Sequence, residues 1–224
     1  MRLSGGSSAP RSILSSGGEP AIRSASRAER TIHLSLLAVF VLFASSCVAP
    51  DTRHRIVVSI PEQRLALLDN GTLIATYPIS TSKFAIGDAP GSRGTPLGEL
   101  EIAKKIGGGS VSGTVFKDRR PTGEVLAPDA PGRDPIVSRI LWLRGLEARN
   151  ANAYGRYIYI HGTAEERNIG KRASYGCIRM RSHDVIQLYD IVGYRARVTI
   201  LDAPLSAALP VAPGPGATTS VSSQ

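Results

Sequence analysis

Seven short apolar segments along the chain have the pattern expected of β-strands. They are rich in Val, Ile, Leu and Tyr, and Gly, Pro, Asn and Asp separate them. The predicted strands cover residues 55–60, 64–68, 72–77, 100–106, 140–143, 156–160 and 196–201. Asn70-Gly71 lies between the second and third strands, and this pair predicts a β-hairpin because both residues tolerate positive φ. The pattern therefore predicts a mostly β, β-sandwich-like domain.

One segment has the periodicity of a helix. Between Asp184 and Val192, apolar residues such as Val185 and Leu188 recur on a single helical face. Ser182 is placed to cap the start of this helix, and Gly193 is placed to end it. We therefore expect one short α-helix near the end of the domain.

Composition divides the chain into four parts. Residues 1–46 predict a signal sequence, 47–54 a linker, 55–202 the folded domain, and 203–224 a disordered tail rich in Ala, Pro and Ser. Within the domain, residues 117–136 are rich in Pro, Asp and Arg and predict a long loop.

The start of the chain predicts export. Arg23, Arg27 and Arg30 precede an apolar run from Leu34 to Phe43, and small residues follow up to Cys47. This is the order of a secretory signal, and the run is shorter than the ~20 residues that cross a bilayer. We expect an exported protein, in the periplasm of a Gram-negative cell.

Cys47 adds an alternative to simple cleavage. Ala44-Ser45-Ser46-Cys47 resembles the lipobox of bacterial lipoproteins, in which the Cys receives a lipid that tethers the protein to a membrane. Ala44 stands where that motif usually has Leu, so cleavage without lipid attachment stays an alternative.

The formal net charge of +9 allows several anionic partners. Residues 1–47 contain five Arg and two Glu, which leaves +6 for the rest of the chain. A basic surface attracts nucleic acid, but it equally attracts anionic wall polymers and peptide carboxylates. Since no dense Lys/Arg run or aromatic-interleaved basic patch is present, we expect no nucleic-acid partner.

The candidate chemistry lies in two short motifs, His161-Gly162-Thr163 and Ser174–Met180. The first follows a predicted strand and the second precedes the predicted helix. The loop between them allows His161 to meet Cys177, and a neighbouring imidazole would take the thiol proton and later return it to a leaving amine. The backbone N–H groups of Gly176 and Cys177 would stabilise an oxyanion, and Arg179 offers a fork suited to a carboxylate.

Residue types and spacing alone are also compatible with purely structural roles for these residues. A lone Cys is usually a small buried apolar residue, a lone His is usually structural, and an Arg often forms only a surface ion pair. One Cys and one His lack the further ligands that a zinc site needs. The two Cys lie in separate motifs, a cleavage site and a candidate active site, so their even number does not by itself indicate a disulfide.

The combined motif resembles the signature of the YkuD family of L,D-transpeptidases. The family has His-Gly-Thr followed by Ser-x-Gly-Cys-Ile-Arg-Met, and here Cys177 lies 16 residues after His161. The flanking segments also resemble the family: the first hairpin over 56–77, Gly94-Thr95-Pro96-Leu97-Gly98, and the helix and last strand over 184–200. The resemblance covers residues 54–201.

The resemblance implies a role for each position. Cys177 would be the acyl-accepting nucleophile, His161 its base, and Thr163 a residue that orients the imidazole. The other predicted site residues would shape the nucleophile's turn or contact substrate: Tyr159, Ser174, Tyr175, Gly176 and Arg179. Tyr175 stands where the family commonly has His, which leaves the pH dependence and acceptor open.

The resemblance also implies a reaction. Cys177 would attack a peptidoglycan stem peptide, release a terminal D-amino acid and form a thioester that an amine then resolves, with no metal or organic cofactor. The acceptor would be another stem peptide or a protein attached to the wall. Water as acceptor, giving a carboxypeptidase or other hydrolytic cysteine enzyme, and an inert wall-binding domain remain alternatives.

Overall fold

The computed structural model of the protein describes residues 49–210. The predicted signal sequence, Cys47 and residues 211–224 of the predicted tail lie outside this range. Within it, no helix combines the length and apolar character needed to cross a membrane.

Ten strands and one α-helix form the domain. The strands are β1 His54–Ser59, β2 Arg64–Asp69, β3 Thr72–Pro78, β4 Gly98–Ile106, β5 Thr114–Lys117, β6 Arg120–Val125, β7 Ile136–Gly145, β8 Tyr159–Thr163, β9 Ile178–Met180 and β10 Arg197–Leu201. The helix, α1, is Ser182–Ile191, and single 3-10 turns occupy Ala148–Asn150, Glu166–Asn168 and Leu205–Ala207. This confirms the predicted fold class, a mostly β, sandwich-like domain with one short helix.

The strands join into one sheet in the order β3-β2-β1-β10-β4-β7-β5-β6, and β8 pairs with both β7 and β9. All pairings are antiparallel except β1 with β10 and β8 with β9. A single cluster buries side chains from widely separated strands and from α1, including Ile56, Leu100, Ile160 and Val185. Each fully buried aliphatic side chain of this kind contributes ~1.5–3 kcal/mol.

The first hairpin forms as predicted. β2 and β3 are antiparallel, and Asn70 and Gly71 join them with φ values of 46° and 81°. Positive φ at both central residues is the geometry of the turn that matches the twist of a two-residue hairpin. The Asn-Gly prediction is confirmed.

Two predictions near the ends of elements are wrong. Ser182 is the first residue of α1 and does not cap it, because Arg181 occupies the N-cap position; the Ser182 N–H donates instead to Glu166 Oε1 at 2.8 Å. Leu205 is 7% exposed and packs on Val57, Ala66 and Leu68, so the ordered chain continues past residue 202.

The predicted loop over 117–136 contains a strand. β5 pairs with β6 through a tight turn at Asp118 and Arg119, whose φ values are 50° and 67°. β5 also pairs with β7, and this pairing fixes the hairpin on the sheet. We call β5, its turn and β6 the overhanging hairpin.

Candidate active site

The predicted nucleophile and base lie on neighbouring parallel strands. In the β8–β9 register, Ile160 pairs with Ile178 and His161 pairs with Arg179. Side chains alternate between the two faces of a sheet, so Cys177, directly before β9, lies on the same face as Arg179 and His161. Strand pairing therefore brings the two motifs together.

This arrangement corrects two expectations. His161 lies inside β8 and not after it, whereas the motif Ser174–Met180 directly precedes α1, as predicted. The predicted strand over 156–160 begins only at Tyr159, because Tyr157 has a φ of 59°. Left-handed φ at a bulky residue is uncommon and often marks a functional site.

The His161 imidazole is buried and its tautomer is set by a backbone contact. Nδ1 lies 2.8 Å from the carbonyl oxygen of Gly162, and since a carbonyl only accepts, Nδ1–H is the donor. Nε2 is then the nitrogen with a lone pair. The pKa of His161 is lowered to about 4, chiefly by burial and in smaller part by the charge of Arg179, while the hydrogen bond to Gly162 and the charge of Asp134 oppose this shift. His161 is neutral at neutral pH and can accept a proton at Nε2.

Gly162 is required by the close approach of β7. A Cβ at this position would lie 2.5 Å from the carbonyl oxygen of Val137. The pairing of β7 with β8 shifts register between Val137 and Ile140, where Ser138 has a φ of 66°. At this bulge, β7 packs closely against Gly162, whose carbonyl oxygen accepts the His161 hydrogen bond.

The Cys177 thiol is partly buried against aromatic side chains. It packs with the cluster that contains Trp142 and Tyr159, and its S–H donates to the carbonyl oxygen of Tyr157 at 3.4 Å. Burial raises the pKa of the Cys177 thiol, while Arg179 and Arg156 lower it. The free protein therefore holds a neutral thiol beside a neutral imidazole, and proton transfer must accompany nucleophilic attack.

Hydrogen bonds from distant segments hold the turn before Cys177. The Ser174 hydroxyl donates to the Cys177 carbonyl at 2.6 Å and accepts from the Gly176 N–H at 3.2 Å. The Thr95 hydroxyl donates to the Gly176 carbonyl at 3.1 Å. Gly176 has a φ of +123°, which disfavours any side chain. Because the Gly176 N–H is engaged by Ser174, one of the two predicted oxyanion donors is used within the turn.

Arg179 is almost fully enclosed and already paired. It is 8% exposed, and its Nη1 lies 2.7 Å from Asp134 Oδ2 and 3.9 Å from Glu165 Oε2. Of the two roles that the resemblance implies for it, the contacts favour fixing the site over holding a substrate carboxylate.

Asp134 is a site residue that sequence reasoning missed. The Thr163 hydroxyl donates to Asp134 Oδ1 at 2.5 Å, so its hydrogen-bond partner is this carboxylate. The Glu165 N–H also donates to Oδ1, at 3.4 Å. Asp134 thus links β8, β9 and the loop before β7. It lies in a Pro-rich loop without periodicity, so no sequence signal marked it.

The two predicted tyrosines lie in different surroundings. Tyr159 is buried, and its ring lies edge-on to the His161 ring with centroids 6.5 Å apart. Tyr175 is 54% exposed. Its ring centroid lies 5.1 Å from that of Phe84, and the Lys83 ammonium lies over the Tyr175 ring. Tyr159 adjoins His161, whereas Tyr175 forms the outer rim of the turn before Cys177.

Comparison with known proteins agrees with this geometry. Residues 53–200 match the YkuD family, described as the L,D-transpeptidase catalytic domain. The Bacillus subtilis protein YkuD, named as an L,D-transpeptidase, is 33% identical over 66% of this chain and 65% of its own length. The Escherichia coli protein ErfK/SrfK, also named as an L,D-transpeptidase, is 47% identical over 70% of this chain and 47% of its own length.

The chain thus spans about two thirds of the Bacillus relative and about half of the Escherichia coli relative. A solved L,D-transpeptidase from Mycobacterium smegmatis superposes with a TM-score of 0.42 at 16% identity, covering 66% of this chain and 58% of that one. The family match covers the described strands and both motifs. The chain therefore belongs to the YkuD family of L,D-transpeptidase catalytic domains.

Proposed function

We propose that this protein is a peptidoglycan L,D-transpeptidase that forms stem-peptide cross-links through a Cys177 thioester. The observation that carries the proposal is that Cys177 and His161 share one face of two paired strands, with Nε2 of the imidazole left as the basic nitrogen. Membership of the family supplies the reaction class, and the contacts supply the division of roles.

The first half-reaction transfers an acyl group to sulfur. The thiol proton moves to His161 Nε2 as the sulfur attacks the carbonyl carbon of an L-centre residue in the donor stem. The C–N bond then breaks, the imidazolium gives its proton to the departing amine of the D-amino acid, and a thioester remains. Because thiol and imidazole are both neutral at rest, the imidazolium exists only transiently, while the chemical steps proceed.

The second half-reaction resolves the thioester. An acceptor amine attacks the acyl carbon and gives a proton to His161 Nε2. The sulfur leaves as a thiolate and recovers that proton, so the neutral pair is restored. A thioester conserves acyl-transfer potential, so cross-linking needs no nucleotide. A stem-peptide amine is the proposed acceptor, and a protein lysine would attach a protein to the wall by the same chemistry.

The proposed location follows from the sequence. The basic and apolar segments before Cys47 support export to the periplasm, and Cys47 supports a lipid anchor as a second form of the mature protein. Mass spectrometry of the mature N-terminus from membrane and soluble fractions distinguishes the two forms, because only the anchored form begins with a lipid-modified Cys47.

The test of the activity is product analysis on purified wall sacculi. Wild-type protein is expected to create new cross-links, and Cys177→Ala to lower their rate about 1,000-fold or more. Products that only lack the terminal D-residue would indicate a carboxypeptidase. Identical products from both proteins would contradict the catalytic assignment and favour an inert wall-binding domain.

A second measurement does not depend on the acceptor. A carbapenem should acylate the wild-type protein and leave Cys177→Ala unmodified, as read by intact-protein mass spectrometry. Alkylation of the free protein at different pH values discriminates less well between a catalytic and an inert thiol, because burial keeps even a catalytic thiol protonated here.

A further inference from the structure

The pairing of Arg179 leaves the recognition of substrate carboxylates unassigned. Stem peptides carry carboxylates close to the bond that the proposed reaction breaks, and a carboxylate needs a cation with free donors. Arg179 faces two carboxylates of the protein itself. A cation that recognises them is therefore to be sought elsewhere near Cys177.

A cleft of ≈ 700 Å³ lies under the overhanging hairpin. Four cationic side chains line it: Lys104, Lys117, Arg119 and Arg120. One carboxylate, that of Asp118, also lines it. Within residues 49–210, none of these four cations forms an ion pair with a carboxylate. A cleft with this excess of unpaired positive charge selects for an anionic ligand.

The cleft shares a sheet face with the nucleophile. In the β4–β7 register Lys104 pairs with Trp142, and in the β7–β8 register Trp142 pairs with Tyr159. Trp142 lines the cleft, and its aromatic cluster also packs against Cys177. A peptide bound with its acyl carbon at the sulfur can therefore extend into this cleft.

Arg119, one of the cations of the cleft, lies against two aromatic residues that adjoin the thiol. Its guanidinium carbon lies 5.1 Å from the ring centre of Tyr157, the residue whose carbonyl accepts the Cys177 S–H, and 5.2 Å from that of Trp142. Stacking on aromatic rings orients a guanidinium without using all its N–H donors, and its planar fork fits a carboxylate.

We propose that the cleft under the overhanging hairpin is the subsite for a carboxylate of the donor stem peptide, and that Arg119 contacts it. The apolar floor, formed by Trp142 and Ile106, accommodates the aliphatic part of the same residue. This inference rests on the proposed transpeptidase function and names the substrate group that the site selects.

The test uses three soluble donor peptides that differ only in charge. One has all carboxylates free, one has its third-residue side-chain carboxylate amidated, and one has its C-terminal carboxylate amidated. The kcat/KM for release of the terminal residue is measured with wild type, Arg119→Gln and Arg119→Lys. Arg195→Gln is the matched control, since Arg195 is an exposed arginine paired with Glu101, outside the cleft.

Wild type and Arg195→Gln are expected to prefer the free peptide about 10-fold over one amidated peptide, which identifies the carboxylate that is bound. Arg119→Gln should lose that preference, mainly through a higher KM, and Arg119→Lys should keep part of it because it retains the charge. An unchanged preference in Arg119→Gln would overturn the proposal, as would equal turnover of all three peptides by wild type. Turnover of none by wild type would instead overturn the proposed function, and the inference with it.

Discussion

Among the turns that place a glycine at positive φ, those at Gly71 and Gly176 are built in opposite ways. Gly71, in the first hairpin, has no atom within 4 Å of the position where a Cβ would lie. Gly176, before the nucleophile, has the Gly94 carbonyl oxygen at 3.1 Å and Ile158 Cδ1 at 3.3 Å from that position. A turn that only reverses the chain is determined by its own two residues. A turn that presents a thiol is determined by segments distant in sequence.

Gly176→Ala should have the largest effect of the substitutions that test this contrast. The new Cβ imposes strain at a φ of +123° and pushes the turn away from Gly94, which displaces the sulfur from His161. Displacements of about 1 Å cost ~100-fold in rate. We expect the carbapenem acylation rate to fall about 100-fold or more, as followed by intact-protein mass spectrometry. Acylation at the wild-type rate would show that the turn tolerates a side chain.

The burial of His161 should make stability depend on pH. Its pKa is about 4 in the folded protein and ~6.5 when unfolded, so between these values the unfolded chain binds more protons. The stabilisation is complete above pH 6.5 and is lost as the pH falls towards 4, by about 3 kcal/mol over the window. Urea unfolding at several pH values should show this loss in wild type but not in His161→Gln. Equal pH dependence of the two proteins would argue against a buried neutral imidazole.

The same contrast explains how much of the fold was predictable. Strands β1 to β3 and β10 contain either alternating or consecutive apolar residues, and Asn70-Gly71 has a strong local preference for a hairpin turn. Each of these elements therefore lies close to its predicted position. β6 is exposed along its whole length and contains Pro121 and Gly123, so it carries no hydrophobic pattern. It exists because β5 is held on β7.

For the candidate site, the sequence indicated the residues of the two motifs but not the residues that support them. The motifs identified Cys177 and His161, since their spacing and neighbours resemble a known signature. The contacts of Asp134 with Thr163 and Arg179 depend on how a loop returns to the sheet, and no local property of residues 126–135 encodes that path. Contacts between segments that are distant in the chain could not be predicted from this single sequence.

Asp134→Asn should have the next largest effect on activity. The Asp134 charge opposes that of Arg179 and raises the pKa of His161, so its removal lowers that pKa and makes the imidazole a weaker base. We expect an approximately 10-fold slower acylation at neutral pH. The acid limb of the pH–rate profile should also move to lower pH.

Asp129→Asn is the matched control for this substitution. Asp129 belongs to the same loop, and its carboxylate accepts from the Arg167 N–H at 2.9 Å, at an exposed position that is not among the groups that shift the His161 pKa. It should leave the pH profile unchanged. An acid limb that stays in place in Asp134→Asn, or moves equally in both variants, would assign Asp134 only a structural role.

Gly71→Ala should have the smallest effect and completes the comparison. The substitution meets no neighbouring atom, so its cost is the backbone strain of a non-glycine residue at a φ of +81°, about 1 kcal/mol. The denaturation midpoint should fall slightly, while the acylation rate of Cys177 stays that of wild type. The first hairpin is remote from β8 and β9 in the strand order, so its strain has no direct path to the sulfur. A loss of acylation comparable to that of Gly176→Ala would mean that strain at any turn of this sheet disturbs the thiol, and the distinction between the two turns would not hold.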